Sequence, residues 1–80
     1  MNELHRNLNP LHDRLMRYFA YAHLPTALQE ISQPFAELAE RMAVWFEHEG
    51  GMDAVEMTVA LRKLLEAKDS AVRTILKAKP

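Results

Sequence analysis

Cysteine is missing altogether from these 80 residues, so no disulfide can steady a chain of a size that often needs one. No ligand cluster suggests a structural metal in its place, and oligomerisation becomes the expected route to stability. No apolar run reaches the ~20 residues a membrane-spanning helix requires, and no signal-peptide-like apolar segment opens the chain. The sequence therefore reads as one soluble, cytoplasmic domain spanning 1–80. Charge of one sign is also lacking. Lys+Arg 10 against Asp+Glu 11 leaves a net charge of −1, without the basic excess that marks a binder of nucleic-acid polymer.

Catalytic constellations are absent as well. There is no thiol, no Gly-rich phosphate loop and no Ser-His pairing in a strand-turn-helix setting. The histidines His5, His12, His23 and His48 show neither His-x-x-x-His nor Glu-x-x-His spacing. Glu47, His48 and Glu49 are consecutive and diverge around a helix. No metal, no cofactor and no enzymatic activity is expected.

What the chain does have is helical periodicity. Hydrophobic residues make up 49% of it, yet apolar/polar alternation is nowhere sustained. The two glycines stand side by side as Gly50-Gly51, predicting a turn through left-handed backbone conformations. Before it, a helix is predicted from Gln33 to Glu49, opened by Pro34, with Phe35, Leu38, Ala39, Met42, Trp45 and Phe46 on one stripe. Trp45 reads as a core residue ahead of an interface one, and Val44, on the polar side, hints at a contact. After the turn, Asp53 and Glu56 form a capping-box pattern for a helix running to about Lys77. Two helices so closely joined should pack antiparallel. Upstream, Asn9-Pro10 can start a first helix reaching Ala22, with Leu4, Leu8, Leu11, Leu15, Tyr18 and Ala22 as its stripe and Leu24-Pro25 as its stop. Thr26 to Ile31 reads as a short helical segment that Pro34 ends or kinks, and the tail from Lys77 to Pro80 should fray. The expected fold is all-α: a helical hairpin (25–49 and 53–77) with an N-terminal helix (1–24), oligomerising.

Two regions carry candidate binding residues. On the last helix, Met57, Ala60, Leu61, Leu64, Leu65, Ala67, Ala71, Val72, Ile75 and Leu76 fill about half the circumference at about 100° per residue. That arc is wider than one partner helix needs, which is the motive for a homo-oligomer. Lys68 falls inside it. Either its stem lies on apolar surface while the ammonium reaches water, or the ammonium enters a pocket and meets an anion, because an unpaired buried charge is too costly to persist. The opposite face carries Arg62, Lys63, Glu66, Asp69 and Arg73, with Arg62–Glu66 and Asp69–Arg73 at the i,i+4 spacing of weak ion pairs. Arginine is also the side chain that suits phosphate oxygens. The second region is Arg17-Tyr18-Phe19-Ala20-Tyr21-Ala22-His23-Leu24-Pro25. Its rings are most simply core residues, with at least one of Phe19 and Tyr18 buried. Aromatic faces beside a cation are equally what a purine and phosphate need. His23, before a turn, reads as a local hydrogen-bonding residue.

Taken together, Phe19-x-Tyr21-x-x-Leu24-Pro25, the helix Phe35 to Ala39, and the run from Thr58 to Arg73 resemble a family of small phage proteins with a helical hairpin domain. That family includes the anti-CBASS and anti-Thoeris sponges. The similarity covers Phe19 to Arg73. It implies a protein that sequesters cyclic oligonucleotide or cyclic ADP-ribose immune signals without cleaving them. It also implies a compact oligomer, often a hexamer, with ligand pockets between protomers. The family's aromatic lead-in corresponds to Phe19 and Tyr21, with His23 close by, and its helix of small and leucine residues to Ala60, Leu61, Leu64, Ala67 and Ala71. The N-terminal helix and the less acidic balance depart from its pattern. The expected ligand-binding set is Arg17, Phe19, Tyr21, His23, Arg62, Lys68 and Arg73. The alternative is a helical protein-interaction or structural module with no small-molecule ligand.

Overall fold

The computed structural model describes residues 10–77. Leu4, Leu8 and His5, and the tail residues 78–80, lie outside them. Among the described residues the protein is all-helical, with α1 (Pro10–Arg17), α2 (Thr26–His48) and α3 (Ala54–Lys77) and no strand.

Pro10 stands at the first position of α1, where its fixed φ suits a helix and its missing N–H is no loss. The expected continuation to Ala22 does not occur. Tyr18, Phe19 and Ala20 instead donate their N–H groups to Leu15, Met16 and Arg17, three residues back, and the helix tightens and stops. The inward face is rotated from the predicted stripe. Leu11 and Tyr18 are exposed, whereas His12 and Phe19 are buried, with Leu15 and Met16 packed beside them. A hydropathy pattern could not place a histidine in the core. Tertiary hydrogen bonding puts it there.

The connection to α2 is tied by Gln29, whose Nε2 donates to the carbonyls of Leu24 (2.6 Å) and Ala22 (3.3 Å). From Thr26 the helix runs unbroken through Pro34, against the expectation of two segments. An interior proline costs about 3 kcal/mol of helix propensity, but Pro34 and Glu30, whose carbonyl loses its donor, are both exposed. The inward side of the same stretch buries Ser32, Ala39 and Ala43 and half-buries Phe35 and Ala36. That packing outweighs the local penalty.

The turn after α2 departs from prediction too. Glu49 takes an extended conformation (φ −100°, ψ 101°) while its N–H still donates to the Trp45 carbonyl at 2.8 Å. Neither glycine has a positive φ. α3 then starts as predicted. Asp53 Oδ1 accepts from the N–H groups of Val55 (2.9 Å) and Glu56 (3.1 Å), satisfying two donors that a helix start leaves open.

Phe19, just after α1, Ala39 of α2, and Met57 and Leu61 of α3 form the core cluster, with Phe35, Met42, Phe46, Leu64 and Leu65 packed against it. The molecule measures 48 × 28 × 16 Å. In so flat an arrangement of three helices, none is covered on all sides. Trp45 shows the consequence. Expected in the core, it is 48% exposed on the outward face of α2, with Leu38 and Val44 also exposed. The broad arc of α3 is likewise only partly covered: Met57 and Leu61 are buried, but Leu76 is exposed.

Candidate functional site

His12, the third residue of α1, makes the most structured polar contact among the described residues. It is fully buried. Its Nε2 lies 2.8 Å from Thr58 Oγ1 and 3.2 Å from the Ala54 carbonyl. A carbonyl only accepts, so Nε2 carries the proton and donates. Thr58 Oγ1 in turn donates to Ala54 O at 2.9 Å, which leaves its lone pairs to receive the imidazole N–H. The ring meets Phe46 edge-on, centroids 4.9 Å apart at 75°. Nδ1 is buried without a partner among the described residues. One side chain thus ties α1 to the first turn of α3 and to the last turns of α2. This is a positioning element, since no groove liner touches the ring nitrogens.

The aromatic segment predicted as a binding region lies between α1 and α2. An open groove of about 340 Å³ is lined by Met16, Phe19, Ala20, Tyr21, Ala22, Ala36 and Glu40. That is the small end of the range for ligand sites, about 300–1,000 Å³. Three alanines keep it open, and half-buried Tyr21 offers it a ring. Phe19 forms its floor at 2% exposure and contributes bulk rather than an accessible face. Tyr18 turns away into solvent.

The cations expected to join these rings do not line the groove, whose charged member is the acid Glu40. Arg17 projects outward with its side chain 78% exposed and pairs with Asp13 at 3.5 Å. At that exposure the pair adds at most a few tenths of a kcal/mol. His23, Arg62 and Arg73 are exposed. The expected Asp69–Arg73 pair is replaced, since Arg73 donates to Ser70 Oγ (3.0 Å) and Asp69 Oδ1 lies 3.0 Å from Lys68 Nζ. Arg62 and Glu66 form no ion pair with each other among the described residues. For Asp69 and Arg73 the reason is competition: a partner one or three residues away occupies the same groups.

Lys68 is the unusual cation. Its side chain is only 12% exposed, while the Asp69 carboxylate that it meets is 47% exposed. The side chain is largely covered, as its position in the apolar arc of α3 requires, and the ammonium meets a half-exposed neighbouring carboxylate at 3.0 Å. Among the described residues no group of three His, Cys, Asp or Glu side chains could hold a metal ion, and no helix is long and apolar enough to cross a membrane.

A second groove, of about 370 Å³, runs along the outward face of α2 between Glu37, Glu40, Arg41, Val44 and Trp45. Sequence reasoning favoured the core over an interface for Trp45 and did not foresee this groove. The signal was present, however, because Pro34, Leu38, Arg41 and Trp45 recur at alternating spacings of four and three.

The described residues form a small all-α protein whose recesses include these two shallow, mainly apolar grooves. In comparisons with known proteins, no family model, no curated protein and no solved structure matches the chain.

Proposed function

We propose that this chain is a non-catalytic binding protein, a sponge that sequesters a cyclic oligonucleotide or cyclic ADP-ribose-type signal as a homo-oligomer, with α2 and α3 acting as a helical hairpin. The observation that supports it is the groove lined by both Phe19 and Tyr21, a mainly apolar recess with small residues around it. The family resemblance of Phe19 to Arg73 points the same way. No Lys, Arg or His is among the groove's lining residues, so the phosphates must meet cations from elsewhere. Arg17, Arg62, Lys68 and Arg73 are the candidates, and assembly of protomers is what would bring them together. Oligomerisation is thus a requirement of this reading.

The test is retention without chemical change. Purified protein is incubated with a panel of cyclic di- and trinucleotides and cyclic ADP-ribose isomers, desalted, denatured, and its supernatant analysed by mass spectrometry. Intact ligand released only on denaturation supports the sponge, and cleaved product would make the protein an enzyme. If nothing is retained across the panel, a second reading takes over, a protein-interaction or structural module. That reading is favoured by a different observation, the exposed Leu38, Val44 and Trp45 on the outward face of α2.

A further inference from the structure

The outward face of α2 carries Pro34, Leu38, Arg41 and Trp45, all exposed. Their spacings of four, three and four residues read the same in both directions along the helix. Alternating three- and four-residue steps make a straight seam on a helix surface, the pattern by which one helix packs along another. A seam whose spacing is palindromic is complementary to itself under a two-fold axis perpendicular to the helix, which is the symmetry of an isologous interface.

We infer that this seam pairs antiparallel with the same seam of a second copy of the chain, about a two-fold axis passing between residues 39 and 40. The inference rests on the oligomer clause of the proposed function and names its surface. In this register Trp45 packs on Pro34 of the partner subunit at each end, and Arg41 lies across Leu38 of the partner subunit near the centre.

The charges agree with that arrangement. Glu37 stands beside the seam and holds Gln33 Nε2 at 2.8 Å, leaving its carboxylate without a cation among the described residues. Arg41, one turn further on, forms no ion pair among the described residues either. Antiparallel pairing sets the guanidinium of each Arg41 near the partner's Glu37, while its methylene stem covers Leu38. A parallel pairing would instead stack Arg41 on Arg41. The opposite face of α2 is already occupied by the core through Ser32, Ala39 and Ala43, so this seam is the side of the helix left to pair.

Two properties of the chain make the test direct. Trp45 is its sole tryptophan, and it contains no cysteine. Full-length Leu38→Cys and Arg41→Cys proteins are mixed under mild oxidation. The expected product is a covalent heterodimer, formed at least tenfold faster than from mixed Lys63→Cys and Arg73→Cys proteins. Light scattering should show that Trp45→Glu shifts assembly to at least tenfold higher concentration with the helical circular dichroism unchanged. Arg41→Glu should weaken assembly and Glu37→Arg with Arg41→Glu should restore it. Dilution of the parent should move the Trp45 emission to the red. Equal cross-linking rates for the two mixtures overturn the inference even if Trp45→Glu misfolds. An oligomer whose mass is unchanged by Trp45→Glu also overturns it, while leaving an oligomeric sponge standing on another face. A parent that is monomeric at tens of micromolar overturns both the seam and the oligomer clause. Ligand retention by the Trp45→Glu protein, measured separately, tells whether the binding reading survives.

Discussion

Replacing His12 with alanine removes a fully buried ring from the junction of all three helices. Three losses can be separated. The donated hydrogen bond, shared between Thr58 Oγ1 and the Ala54 carbonyl, has a net worth of about 1 kcal/mol. The edge-on contact with Phe46 adds ~0.5–1.5 kcal/mol. The void left behind costs about 1–2 kcal/mol more, less than a fully apolar cavity because α1 is short and can settle. The total is roughly 3 kcal/mol, a large fraction of the ~4–12 kcal/mol that a chain of this length commands. At about 4–8 °C per kcal/mol for a domain of this size, Tm falls by about 15 °C. The assay is thermal and urea unfolding followed by circular dichroism at two protein concentrations, since any assembly makes Tm depend on concentration. His12→Phe supplies the control. It keeps a ring against Phe46, somewhat larger than imidazole, but not the N–H, and it should cost about 1–2 kcal/mol. Thr58→Val, which leaves the imidazole donating to Ala54 alone, should cost about as much and be non-additive with His12→Phe. A His12→Ala protein melting within about 2 °C of the parent would refute the claim that this side chain locks α1 to α3.

Asp53→Ala removes the acceptor for the Val55 and Glu56 N–H groups and should lower stability by about 1 kcal/mol, read from the urea midpoint at unchanged slope. Gly50→Ala and Gly51→Ala should each raise it by about 0.4–1 kcal/mol, because neither glycine has a positive φ and an added Cβ meets nothing within 4 Å. A loss of stability in either would show that the turn uses the freedom of glycine after all. Lys68→Glu should lower Tm, or abolish assembly, more than Lys63→Glu does. It sets a second carboxylate beside Asp69 at a position whose side chain is 12% exposed, whereas Lys63 is exposed. Lys68→Met, which keeps the stem and drops the charge, should stay within about 1 kcal/mol of the parent.

Some of this protein was determined by its sequence alone. Helical periodicity made it all-α. The Asp53 side chain capped α3 where predicted, because capping is a contact within a few residues that no distant partner has to supply. The glycine pair marked the end of α2 correctly, although its conformation there is ordinary. Lys68 was legible as a cation on an apolar arc, and its stem is indeed covered. Phe19 and Tyr21 were legible as a pair, and they line one groove. Other features were decided only by tertiary structure. Pro34 reads locally as a break, and α2 runs through it because packing on the inward side exceeds the cost of one lost hydrogen bond. Burial of His12 depends on Thr58 and Ala54, partners far away along the chain that no periodicity reveals. The exposure of Trp45 has the same origin. A helix stripe says which residues share a side, but only the arrangement of neighbours says which side is covered, and in a slab this thin one face of α2 is left facing outward.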